Sequence, residues 1–372
     1  MADRTRFRRT SSPRRSWGCR SATHWPGGNC IMRPELRVGV VYDFRNPPHS
    51  GIDNPSFYAE LLDQAVWLEG LGLDLIWFTE HHFVEDGYLP SWIPVASAMA
   101  ARTKRVRFSS DISILPLYHP VRLAEDLAVL DNLSRGRVDI GVGLGYVPRD
   151  FAGYGYPVSH RVSRTDEGLE ILSHCFRGEQ FSFTGKRYQT KDVLIRPEYV
   201  QEGGPPLWIA ASSREGALRA ARFNAHLLPQ GPFETTTQVW LDALRSDGRD
   251  PDDYRLGIIK PVFVTDDRDR DWPAIRAAER FRMEYYAEAF KTAGRGTPPD
   301  QDKERINQNW LIGDVDHCVR ELTTFIRENR ITDFVTWAVP PGLRPDAVES
   351  SLHQFATKVV PHVKDAVRDQ EG

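Results

Sequence analysis

From Leu36 onward the chain alternates short β-branched or aromatic runs with amphipathic segments, and this rhythm limits its possible folds more than any other feature. Strands that recur on either side of helices run parallel, because each helix carries the chain back to the starting edge of the sheet. Strands are predicted over 36–44, 74–78, 106–114, 137–142, 207–211, 225–228, 256–264 and 332–337. Among the helices, one opens at Asn54 and Pro55, keeps Phe57, Leu61, Leu62, Ala65, Val66 and Leu68 on one face, and stops at Gly70 and Gly72. Others follow near 94–102, after Pro120 to about 133, from Ser163, and over 213–222 and 234–246. The last is capped by Asp314 and carries Val315, Cys318, Val319, Leu322, Phe325 and Ile326 at helical spacing.

Two passages break the rhythm. Residues 179–206, with Phe181, Phe183, a Thr184-Gly185 turn and Tyr188, read as a hairpin excursion covering the barrel after the fourth strand and helix. Residues 268–310, between strands seven and eight, hold a charged helix and a Gly/Pro-rich segment, and read as a lid. Eight strands alternating with helices favour an α/β chain closed into a (β/α)8 TIM barrel over 34–366, rather than an open doubly wound sheet.

Residues 1–33 read differently. The first 31 hold seven Arg against one Asp, without an apolar run. Disorder is expected there, no export signal fits, and Met32 is a plausible natural start just ahead of the first strand. With 48 basic and 51 acidic groups in all, the rest of the chain keeps 41 and 50, a net −9 that argues against nucleic acid as a partner. Cys175 and Cys318 fall at apolar positions of predicted helices, which fits buried thiols in a reducing cytoplasm. No run approaches the ~18 apolar residues of a membrane span.

In a parallel barrel, chemistry gathers where strands end. After the second strand come Thr79, Glu80, His81, His82 and Phe83, ionisable groups directly following an apolar strand, a costly placement unless they have partners or face a wet cavity. An imidazole serves as a proton acceptor near neutral pH, so whichever of His81 and His82 points inward is the candidate base. A satisfied structural pair is the plainer alternative. Adjacent histidines on an extended chain diverge, which disfavours a shared metal ion. After the fourth strand, Gly141, Gly143, Leu144, Gly145 and Tyr146 form a loop whose glycines let backbone approach a ligand or simply serve turns. After the fifth, Ser212 and Ser213 precede a helix, where free amides and hydroxyls favour a phosphate, although capping alone would explain one serine. Trp92, Tyr118, Tyr146 and Trp337 point to an aromatic-lined cavity or to core. From the residues alone, this is a barrel that binds a phosphorylated cofactor.

The segments WFTEHHF (77–83), HPVRLAED (119–126), LDNLSRGR (130–137), IGVGLGYVPRDF (140–151), PLWIAASSREGALRAA (206–221) and WLIG (310–313) together resemble the bacterial luciferase-like flavin-dependent monooxygenases, in order and in spacing. The resemblance implies a barrel binding reduced FMN, supplied by a separate flavin reductase, which reacts with O2 to give a peroxide that oxygenates a small organic substrate. It carries the catalytic role onto His81, with Glu80 and His82 as supporting neighbours. It places Asp111, Gly143, Leu144, Gly145 and Tyr146 along the cofactor, and Ser212 and Ser213 on its phosphate. Self-association as a homodimer or larger homo-oligomer is also implied. One departure stands out: the family's phosphate-binding arginine is replaced by Leu144, and Arg149 or Arg214 would have to substitute. This leaves room for the family's other branch, which uses the deazaflavin coenzyme F-420 for hydride transfer. A flavin-binding barrel without turnover and a metal-dependent hydrolase are more distant rivals.

Overall fold

The computed structural model describes residues 34–294 and 310–368, so the expectation for the 1–33 tail and the 295–309 part of the expected lid fall outside the described residues. Everything below belongs to the compact unit of residues 33–372. In chain order the first elements are β1 (Arg37–Tyr42), α1 (Asn54–Gly70), β2 (Leu75–Phe78), α2 (Trp92–Arg102), β3 (Arg107–Ser110), β4 (Ser113–Ile114), α3 (Pro120–Ser134) and β5 (Ile140–Gly143). There follow α4 (Pro148–Gly153), α5 (Arg161–Phe176), β6 (Phe181–Thr184), β7 (Gln189–Val193), β8 (Leu207–Ala211), α6 (Arg214–Arg222), β9 (His226–Pro229) and α7 (Phe233–Ser246). The last are β10 (Gly257–Ile259), β11 (Val262–Val264), α8 (Arg268–Thr292), β12 (Leu311–Gly313), α9 (Val315–Glu328), β13 (Asp333–Trp337), α10 (Glu349–Gln354) and α11 (Val360–Arg368).

The strands form two parallel arcs, β10-β13-β1-β2-β3 and β4-β5-β8-β9. Parallel bridges Phe108↔Val138 and Leu227↔Leu256 join the arcs at both seams, closing a ring with eight strand positions. This is a (β/α)8 barrel. Residues of β2, β5 and β13 are buried throughout, as expected for strands covered by helices outside and by packed side chains within. Asp53 caps α1 by accepting from the Ser56 amide, and Asp314 caps α9 by accepting from the His317 amide.

Several boundaries differ from the sequence reading. The third strand is interrupted at Asp111-Ile112, a cis peptide, so β3 and β4 are separate pieces. The seventh is interrupted at Lys260-Pro261, where proline has no N–H to give, and β11 then pairs with β12. The helix expected from Ser163 starts at Arg161, fed by a 3₁₀ turn after Pro157, and the Ser163 hydroxyl donates to the His160 carbonyl instead of capping. The glycine-rich stretch after β5, read as loop, runs directly into α4, with Pro148 in its first turn. The hairpin β6–β7 is antiparallel as expected, and Glu167 of α5 holds its turn by accepting from the amides of Lys186, Arg187 and Tyr188.

One mouth of the barrel is closed by charge. Arg37, Arg107 and Arg255, at or beside strand starts, pair with Asp139 and Asp333, and the Trp208 indole also donates to Asp139. Burial pushes the Asp139 carboxyl up, but Arg107 and Arg37 outweigh it and hold it below the usual range. Cys175 and Cys318 are buried and free, and burial pushes both thiols up to about 12. No described helix is long and apolar enough to cross a membrane.

Candidate active site

The opposite mouth holds a cavity of about 430 Å³, walled by the exits of the strands and roofed by α8. That volume suits a cofactor or small organic molecule.

The exit of β2 supplies the titratable core. Successive side chains of an extended segment diverge, so His81 lines the cavity while His82 turns away from it. His82 Nε2 lies 3.1 Å from Glu80 Oε1, and its Nδ1 lies 3.3 Å from the Tyr154 hydroxyl. Glu80, itself in the cavity wall, also accepts from the Ile114 amide and the Tyr118 hydroxyl, so its carboxylate is fixed from several sides. His81 has a different companion. Its Nδ1 sits 3.6 Å from Oδ2 of Asp150, a carboxylate that α4 carries into a fully buried position where neither oxygen has a hydrogen bond. Burial lowers the His81 pKa below the ordinary histidine value, and Asp150 opposes that by raising it. The ring is therefore neutral at neutral pH and able to take a proton. The rings of Tyr88, Tyr285 and Tyr286 pack edgewise around it.

From the β3 exit, Asp111 faces the cavity with one oxygen receiving the Gln230 amide at 2.9 Å and the other unpartnered. Burial pushes its carboxyl up to about 7, against the Gln230 hydrogen bond that lowers it. Gly143, Leu144, Gly145 and Tyr146 follow β5 along the wall. Here the protein itself occupies the space beside the glycines. A Cβ on Gly141 would collide with the Ser110 carbonyl, one on Gly143 would lie 2.8 Å from Ile112 Cδ1, and Gly145 has φ +64°. At the β8 exit, Ser213 caps α6 by accepting from the Gly216 amide at 3.3 Å, while Ser212 is exposed to the cavity beside the free start of the helix.

Other expectations fall away. Trp92 is wholly buried core, its indole donating to Ser113, and Tyr118 serves Glu80, so neither lines the cavity. Tyr146 and Trp337 do. Arg149 and Arg214 are absent from the lining, where the arginine is Arg282 of α8. Its Nε and Nη2 fork onto Glu279, and it packs between the rings of Tyr286 and Trp337.

Against this geometry the comparisons with known proteins are decisive for the family. The model of the luciferase-like monooxygenases matches residues 36–332. The chain belongs to the luciferase-like monooxygenase family. The oxygenase component of the flavin-dependent trigonelline monooxygenase of Acinetobacter baylyi is 26% identical over 343 residues, 84% of this chain and 92% of that one. The uncharacterized protein y4vJ of Sinorhizobium fredii is 27% identical over 212 residues, 55% of this chain, and the match spans only 60% of y4vJ's own length. Among solved structures, the oxygenating constituent of 3,6-diketocamphane monooxygenase from Pseudomonas putida, in complex with FMN, shares the fold at TM-score 0.72 and 18% identity, over 88% of this chain and 98% of that one. An F420-dependent secondary alcohol dehydrogenase does so at TM-score 0.70 and 20% identity, over 88% and 99%.

In this member of the luciferase-like family the structure also brings forward residues that sequence reading passes over. Asp150 lies inside a matched motif, in a stretch whose pattern reads as loop. Gln230, Arg282, Tyr286 and Phe290 complete the wall and roof. A signal for the last three is present, since 282, 286 and 290 recur every four residues along a charged helix and mark one inward face.

Proposed function

We propose that the protein is a flavin-dependent monooxygenase that uses reduced FMN, delivered by a separate reductase, and O2 to oxygenate a small, largely apolar organic molecule. One observation carries this reading: a neutral, buried histidine, His81, faces a flavin-sized cavity and is backed by the buried carboxylate of Asp150. The residues present fit a flavin. Asp111 offers an unpartnered buried oxygen to a ring, and Ser212, with the free amides at the start of α6, offers a seat for a phosphate. When bound, reduced flavin supplies the electrons that activate O2.

The protein's own part is binding, orientation and proton handling. Gly143, Leu144, Gly145 and Tyr146 would lie along the ring, Ser212 and Ser213 would hold the phosphate, and His81 would exchange a proton at its cavity edge. Glu80 and His82 support that wall through their mutual hydrogen bond. The α8 roof, with Tyr286 and Phe290, keeps water out, which strengthens every charge interaction inside.

Hydride transfer with the deazaflavin coenzyme is the second reading, favoured by Leu144 standing where the family's arginine would be. The test supplies reduced FMN through a reductase under ¹⁸O2 with a panel of small apolar compounds. Label appearing in an organic product supports monooxygenation. Turnover of a secondary alcohol with the deazaflavin alone, without oxygen uptake, would replace it.

A further inference from the structure

The cavity holds one carboxyl whose bonding is incomplete. Asp111 is nearly buried at the break between β3 and β4, its Oδ1 takes a hydrogen bond from Gln230, and its Oδ2 has no partner. A buried polar atom without a partner is costly; Glu80, the other carboxyl in the cavity wall, accepts three donors, while Asp150, whose oxygens also lack hydrogen bonds, stands behind His81 and outside the wall. We propose that Asp111 Oδ2 is the acceptor for an N–H of the bound flavin ring, and that capture of the ring is coupled to release of a proton from this carboxyl. The inference rests on the flavin reading above and goes further, by making cofactor capture a proton-releasing event.

The sign follows from the surroundings. Burial disfavours the charged form and pushes the Asp111 carboxyl up to about 7, with only the Gln230 hydrogen bond opposing. Other titratable groups line the same cavity: Glu80 and His81 from the β2 exit, Tyr146 from the β5 exit, and Arg282 and Tyr286 from α8. None of them weighs on Asp111 beside burial and Gln230. Arg282 in particular is forked onto Glu279. A ring N–H at Oδ2 stabilises the carboxylate and drives the proton out. A ring acceptor at Oδ2 would instead keep the proton in place, giving the opposite pH dependence.

Calorimetric titration with FMN at pH 6 and pH 8, in buffers of different ionisation enthalpy, reads this directly. Comparing the wild type with Asp111→Asn cancels the titration of the FMN phosphate, which is common to both. The wild type is expected to bind about tenfold more tightly at pH 8 than at pH 6, relative to the variant, with release of up to about one proton. Equal pH dependence in both proteins, or tighter relative binding at pH 6, overturns the proposal while leaving the flavin reading intact. Failure of the wild type to bind FMN in either oxidation state overturns both. Should the variant not fold, ¹³C NMR of the Asp111 carboxyl in the wild type decides the matter: a midpoint near 7 when empty that falls below about 5 with FMN supports the proposal, and an unmoved midpoint contradicts it.

Discussion

Replacing Asp150 with Asn removes the carboxylate behind His81 while keeping its shape. At 3.6 Å the two groups interact by about 4–5 kcal/mol at an effective dielectric of about 20, an upper scale for the coupling. An opposite charge at such a distance typically moves a pKa by about 1–3 units. Burial already holds His81 below the ordinary value and Asp150 pulls it upward, so losing Asp150 lowers the ring further. The ring of the ligand-free variant, followed by ¹⁵N NMR, should titrate at least about one unit lower than in the wild type. If the neutral ring is the working base, the acidic limb of the kcat/KM profile moves down by the same amount, and the plateau falls because a weaker base accepts the proton less readily. An unchanged His81 midpoint, with wild-type rates, would refute the pairing. Loss of rate with an unmoved midpoint would show that Asp150 acts through packing alone.

Three further outcomes are expected. His81→Ala should slow turnover by about 100-fold or more while changing FMN affinity little; lost flavin binding with normal turnover per bound flavin would sink its role. His226 is held at about 4, by burial first, and its Nδ1 already accepts the Arg255 amide. Its folded pKa is depressed, so the unfolded chain binds more protons, and stability in urea should fall by up to about 1.4 kcal/mol per pH unit from pH 6.5 toward 4, a slope that His226→Gln removes. Gly145→Ala forces a side chain onto a φ of +64° with its Cβ 2.5 Å from Ile114 Cγ2, and should lose about 1–2 kcal/mol for the backbone alone, together with FMN affinity; full retention of both in urea and flavin titrations would show that the loop yields freely.

The strand positions were legible because β-branched runs between amphipathic helices leave few alternatives, and all eight are filled close to where the pattern puts them. The breaks within strands three and seven were not, since Phe108, Ile112 and Ile114 keep their alternation through the interruption. His81 could be singled out because its apolar strand exposes it, whereas Asp150 draws its meaning from α4 folding back against the β2 exit, a contact across many residues that no local pattern announces. Aromatic identity alone could not separate Trp92, sealed in the core, from Trp337, in the cavity wall. Glycine was ambiguous too: the spaces beside Gly141 and Gly143 are taken by neighbouring strands.

The central claim is tested most directly by anaerobic titration of the protein with reduced FMN and with the reduced deazaflavin coenzyme, followed by rapid mixing with oxygenated buffer. Saturable binding of reduced FMN is expected, with reoxidation of the bound flavin at a rate distinct from that of free flavin. Tight binding of the deazaflavin alone, with reduced FMN left free, would contradict it.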